Sequence, residues 1–185
     1  MKKNNFFVFS FKLFLRILAV TLTCLITSAF LASFFSNFAI RFFAGFAFLL
    51  FAMPIIFNFN WEQGSYDIDK ASKGQGNPSV FRGLYAGLIA CIPLFIIAFL
   101  LIASKIGFYD AGFFRSYRLI NTIFFPVNVT LLPADLSINE QSIGSIIISV
   151  LLIFIIPIIS MFGYILGYKH FSISEILIYK KGKSE

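Results

Sequence analysis

The chain has 185 residues, 59% of them hydrophobic and only 12% charged, with a formal net charge of +7. Soluble domains average about 45–50% apolar and about 25% charged residues. The composition therefore excludes an ordinary water-soluble domain and points to lipid as the solvent. The positive balance does not indicate nucleic acid, because the basic residues stand beside apolar runs, where anionic lipid headgroups attract them.

Lys2, Lys3, Lys12 and Arg16 precede a first apolar run, residues 17 to 36. A signal peptide begins in the same way, but the length of this run and the further runs behind it predict a retained helix. Further apolar runs cover residues 40 to 60, 83 to 104 and 143 to 168. Each has about 20 residues or more, which at about 1.5 Å per residue crosses an apolar core of about 30 Å. Helices are expected because a backbone in lipid must satisfy its own hydrogen bonds. The fold class is thus an all-α polytopic membrane protein: four transmembrane helices, an extracytoplasmic interfacial helix and a cytoplasmic amphipathic tail, in a single domain over 1–185.

Between the second and third runs, "EQGSYDIDKASKGQGNPSVFR", residues 62 to 82, is rich in Gly, Ser, Asn and Asp and reads as a loop. Its "KGQGNP" lacks the spacing of a phosphate-binding loop. The third run opens with Gly83 and Gly87, and the fourth closes with Gly163 and Gly167. Small residues four apart let helix backbones approach closely, so these glycines are candidate interface positions. They predict packing of spans three and four on each other, or on another protein.

"FFRSYRLINTIFFPVNVTLLP", residues 113 to 133, is too apolar for an ordinary loop and too rich in Arg and Pro for a clean span. On a helix over residues 112 to 125, Arg115, Arg118 and the pair Asn121/Thr122 share one face. Phe114, Tyr117, Ile120 and Phe124 occupy the other. Pro126 ends this helix, and "VNVTLLP" continues as an extended or re-entrant stretch. An interfacial helix would bury its apolar face while Arg115 and Arg118 reach phosphate. Alternatively, Arg118 and Asn121 turn inward, towards the bundle or a partner.

In the tail, "FSISEILIYKKGK", Ser172 and Glu175 form a capping-box pattern. Ile173, Ile176 and Leu177 share a face, followed by Lys180, Lys181 and Lys183, so a helix over 172–181 lies on the membrane with its lysines at lipid phosphates. With both termini inside, only Arg41, Lys105, Arg115 and Arg118 of the 15 lysines and arginines fall outside. The distribution of basic residues thus predicts cytoplasmic termini.

Residues 17–36, 42–61, 83–104 and 141–168 hold no Asp, Glu, Lys, Arg or His, which argues against a proton pump or an intramembrane hydrolase. His170 is the sole histidine, and Cys24 and Cys91 stand apart in apolar runs. No metal, cofactor or catalytic set is expected. Pro54, Pro93 and Pro157 lie within runs and predict kinks.

"YRLINTIFFPVN", residues 117 to 128, and "GYILGYKHFSISEILIYKK", residues 163 to 181, resemble stretches of uncharacterised small four-span membrane proteins of low-GC Gram-positive bacteria. The resemblance implies a bacterial plasma membrane and carries over no catalytic residue. The leading expectation is a non-enzymatic accessory or scaffolding subunit. Its partners would be the bilayer, anionic headgroups and a membrane protein or a second copy. The alternative is a small transporter or channel-forming oligomer, suggested by the prolines and by the polar first run with Thr21, Thr23, Thr27, Ser28 and Ser33.

Overall fold

The computed structural model describes residues 6–34, 37–76, 78–124, 127–128, 131–133 and 135–169; the predicted tail helix, Lys180, Lys181 and His170 lie outside the described residues. Among the described residues the regular structure is all helix, with no strand. Helix α1 (Phe6–Phe34, 29 residues) starts eleven residues before the predicted first span, so Lys12 and Arg16 lie within it. The hydroxyls of Ser10, Thr21, Thr23, Thr27 and Ser28 each donate to the carbonyl four residues earlier, at 2.7–3.1 Å. The polarity of the first span is thus consumed within its own backbone.

Helix α2 (Phe38–Ser72, 35 residues) starts at Asn37, whose side-chain oxygen accepts from the Ala39 N–H at 2.9 Å. It continues twelve residues past the predicted end at residue 60, absorbing the first half of the predicted loop. Asn60, Gly64 and Asp67, spaced by four and three residues, are all buried and carry one helical face through that stretch.

The helix predicted as the third span is broken. Helix α3 (Arg82–Ala90) stops at Cys91 and α4 (Ile92–Ile106) restarts with Pro93 in its first turn. The two halves are bent by 52°. Pro93 has no N–H to give the preceding turn, while its fixed φ suits a helix start. Gly107, at φ +87°, then ends α4 in the left-handed conformation. Helix α5 (Phe113–Ile120) is shorter than the predicted interfacial helix and tightens into a 3₁₀ turn over Thr122–Phe124. The next stretch is not extended: Val127 and Asn128 are helical, and the Leu132 N–H donates to the Asn128 carbonyl at 2.8 Å. The last span keeps its predicted limits but comprises α6 (Ile143–Leu151), a 3₁₀ turn over Leu152–Phe154, and α7 (Ile155–Tyr168).

Three stretches are long and apolar enough to cross a membrane: Phe6–Phe30, Phe42–Ser72 and Ile143–Tyr168. The bent pair α3–α4 makes a fourth if counted as one span. The start of α1, the end of α2, the start of α3 and the end of α7 converge at what is called below the near end, where Arg82 meets Phe6 and Asp67, and Asp67 meets Tyr164. The far end holds the end of α1, the start of α2, the α4–α5 connection and the start of α6. Between them Leu13, Ile17, Ile56, Ala86, Leu101, Ile153 and Ile156 form a tightly buried core. Burial is uneven along the hairpin. Among the described residues, no side chain of α1 beyond Cys24 and none of α2 before Ala52 is buried.

Candidate functional site

Two polar networks are built into the bundle, one at each end. At the near end the Asp67 side chain is only 2% exposed and forms an ion pair with Arg82, which is 17% exposed (Nη1 to Oδ2, 2.8 Å). The Tyr164 hydroxyl donates to the same oxygen at 2.8 Å, and Gln63 Nε2 donates to the other at 3.0 Å. With both oxygens occupied, Asp67 is a structural acceptor rather than a free base. Tyr164 stands four residues before the end of α7, about 6 Å along the helix, so the pair lies at the edge of the apolar slab. Nearby, the Asn60 amide donates to the Ile56 carbonyl at 2.7 Å. Asn60 Oδ1 and Ser160 Oγ are buried without a hydrogen-bond partner.

The predicted glycines surround this pair. A Cβ on Gly83 would meet the Tyr164 Cβ and the Ser160 carbonyl oxygen, and one on Gly87 would lie 2.7 Å from Pro157 Cα. These two glycines therefore bring α3 onto α7, as the packing of spans three and four requires. Gly163 and Gly167 face a different neighbour. A Cβ on Gly163 would lie 2.5 Å from the Phe57 carbonyl oxygen, and one on Gly167 would overlap the Trp61 carbonyl. Both belong to the α2–α7 contact. There Gly64 lies against the backbone of Tyr164 and Tyr168, and Ser65 Oγ donates to the Gly167 carbonyl at 3.2 Å.

The far network is made by the segment 113–133. Tyr117, fully buried, shares a 2.8 Å hydrogen bond with Ser149 of α6 and accepts from Asn121 Nδ2 at 2.9 Å. Ser149 Oγ donates to Asn128 Oδ1 at 2.8 Å, and Thr122 Oγ1 reaches the Thr21 carbonyl of α1 at 3.4 Å. Ser149 is six residues into α6, about 9 Å along the axis, so the segment dips into the far half of the bundle. The face division expected from sequence is rotated: Asn121 and Thr122 are buried with Phe114, Tyr117 and Phe124, whereas Ile120 is exposed. The inward set 114, 117 and 121 follows the three-and-four spacing of one helical face. Tyr117→Phe is expected to cost about 2 kcal/mol, because the buried Asn121 amide loses its acceptor and Ser149 a partner. Thermal unfolding in detergent measures this, and an unchanged midpoint would show that the network contributes nothing.

Arg115 is exposed and Arg118 half-buried, its guanidinium 5.9 Å from the centre of the Phe114 ring. Burial lowers the Arg118 pKa and the nearby Asp135 carboxylate opposes that shift. Neither arginine converges with the buried hydroxyls. Sequence reasoning missed Asp67, Arg82, Gln63 and Tyr164, although the buried Asn60–Gly64–Asp67 spacing was a readable signal of a continuing helix. It also missed Lys105, whose ammonium donates to the carbonyls of Ile138, Asn139 and Gln141 at 2.7–3.1 Å and ties α4 to the loop before α6.

In that loop Glu140 accepts from the Ser137 N–H at 2.8 Å and its hydroxyl at 2.9 Å. These bonds favour the carboxylate and hold Glu140 below its ordinary value of 4.5. A depressed carboxylate stabilises the fold above its unfolded pKa, and that contribution is lost as pH falls through the lower folded value. The Ser137 amide is therefore expected to be protected from exchange at neutral pH and to open under acid. Glu140→Gln should abolish that pH dependence in amide exchange. Comparison with protein-family models, curated proteins and solved structures finds no match for this chain.

Proposed function

We propose that this chain is a non-enzymatic four-span protein of a bacterial plasma membrane, near end cytoplasmic, acting as an accessory or scaffolding subunit for another membrane protein. The observation that carries this reading is the contrast within the α1–α2 hairpin. The near half of α2 is locked onto α7 by glycines and the Asp67–Tyr164 hydrogen bond, and onto α3 by a buried ion pair, whereas no described side chain of α2 before Ala52 is buried. The far part of the hairpin presents Ile26 of α1 and Phe43, Phe46 and Leu50 of α2, all exposed, beside the small residues Ala44, Gly45 and Ala47, a composition suited to close helix approach. A photo-crosslinking residue at Phe43, activated in intact membranes, should give a discrete protein adduct. The same residue at Phe162, exposed on α7 in the tightly packed half, should give none. Lipid adducts alone at Phe43 would sink the reading.

One observation favours a small transporter as the second reading. The third and fourth spans are both interrupted, at Cys91 and at Leu152–Phe154, and they touch beside these breaks through Gly87 and Pro157 and through Phe95 and Phe154. Broken helices facing each other at mid-depth are a feature of transport sites. Cys91 stands at one break and is fully buried. Reaction of Cys91 with a membrane-impermeant thiol reagent would favour a water path over the accessory role, and inertness under all conditions would remove it.

A further inference from the structure

A groove of about 220 Å³ runs between α1 and α2, lined by Arg16, Ala19, Val20 and Thr23 and, among others, Phe51 and Ile55. The Thr23 hydroxyl is bonded to the Ala19 carbonyl at 2.8 Å, so its polarity is already satisfied. Arg16 is the one charged residue of the lining. It is exposed, with its guanidinium 4.3 Å from the centre of the Phe59 ring, and no carboxylate among the described residues pairs with it.

The position of Arg16 makes that charge informative. It lies ten residues into α1 from Phe6, about 15 Å along the helix, inside a stretch apolar enough to cross a membrane. A helical side chain leans towards the N terminus of its helix, here the near end, and Arg16 does so, reaching Phe59 on the near side of Ile55. The groove continues from Arg16 in the opposite direction, towards mid-bilayer. A cation at this depth is costly unless an anion meets it, and the surrounding walls are hydrocarbon. The complement is a phosphate joined to an acyl chain, oriented as in the near-end leaflet. Whole small-molecule sites occupy about 300–1,000 Å³, so this smaller groove suits one length of chain rather than a complete ligand.

We propose that the α1–α2 groove binds one anionic phospholipid, its phosphate on the Arg16 guanidinium and one acyl chain along Ala19–Thr23 and Phe51–Ile55. The full chain in mild detergent, given equimolar phosphatidylglycerol and phosphatidylcholine of matched chains, is read by native mass spectrometry. The wild type should retain phosphatidylglycerol preferentially. Arg16→Gln should reduce the preference about fivefold, as expected for one basic contact to an anionic lipid, and Arg16→Lys should keep most of it. Ala19→Trp, at an exposed position on the groove rim, should lower retention of both lipids. Lys73→Gln removes an exposed charge in the turn after α2, outside the groove, and should change nothing. The proposal is overturned if Arg16→Gln keeps the wild-type preference, if Lys73→Gln loses as much, or if Ala19→Trp retains lipid normally.

Discussion

Replacing Asp67 with Ala is expected to lower the stability of the bundle by about 3 kcal/mol, the lower end of the cost of breaking a buried ion pair. The lower end applies because Arg82 keeps some access to solvent, at 17% exposure. The loss has several parts. Tyr164 and Gln63 each lose the carboxylate that accepts their hydrogen bond, and the Arg82 charge faces the edge of the apolar slab without its counter-ion. Asp67→Asn should cost less, since an amide oxygen still accepts from Tyr164. The double variant Asp67→Asn, Arg82→Gln should recover part of the loss, because it removes the uncompensated charge. Unfolding in detergent, followed by circular dichroism, gives the cycle, and strictly additive losses would mean that the pair is not coupled.

The second large effect is expected at Gly167. Alanine there places a methyl group on the Trp61 carbonyl, and the obstacle is backbone, so no rotamer change can relieve it. Helices α2 and α7 must move apart, which also stretches the Ser65–Gly167 hydrogen bond. A cost of about 3 kcal/mol is expected, the upper part of the range for overpacking. Gly144→Ala is the matched control: a Cβ there meets only Ser142 Oγ, at an ordinary 3.6 Å. It should be neutral or stabilising by up to about 1 kcal/mol, given the better helix propensity of alanine. A destabilised Gly144→Ala beside an unaffected Gly167→Ala would reverse the assignment of the tight contact.

The sequence showed the fourth span to its limits, because the run from Ile143 to Tyr168 is bounded by loop residues and by a charge. It misplaced the ends of α1 and α2 for a physical reason. In the sequence Arg16 and Glu62 bound the apolar runs, with Lys12 and Asp67 outside them, but a charge marks where polar contact is needed, not where helix hydrogen bonding stops. Arg16 meets that need on Phe59 and Asp67 on Arg82, so the helices run on. The glycine spacing was legible, while the choice of α2 as the neighbour of Gly163 and Gly167 was not, since it depends on the three-dimensional order of helices. Tyr117 looked like a lipid-facing aromatic in its local periodicity. Its role depends on Ser149, 32 residues away, and no local pattern carries that pairing.

The separations along the chain also order events during synthesis. Asp67 and Arg82 are 15 residues apart, so the carboxylate is neutralised almost as soon as α3 enters the bilayer. Tyr164 is 97 residues from Asp67, and Gly167 is 102 from Ser65. Until α7 arrives, Gly64, Gly83 and Gly87 present backbone-deep notches that any passing helix could fill. The charge is therefore secured early and the glycine seam last, and a ribosome paused before residue 143 would hold an intermediate that is electrically complete but open to mispairing.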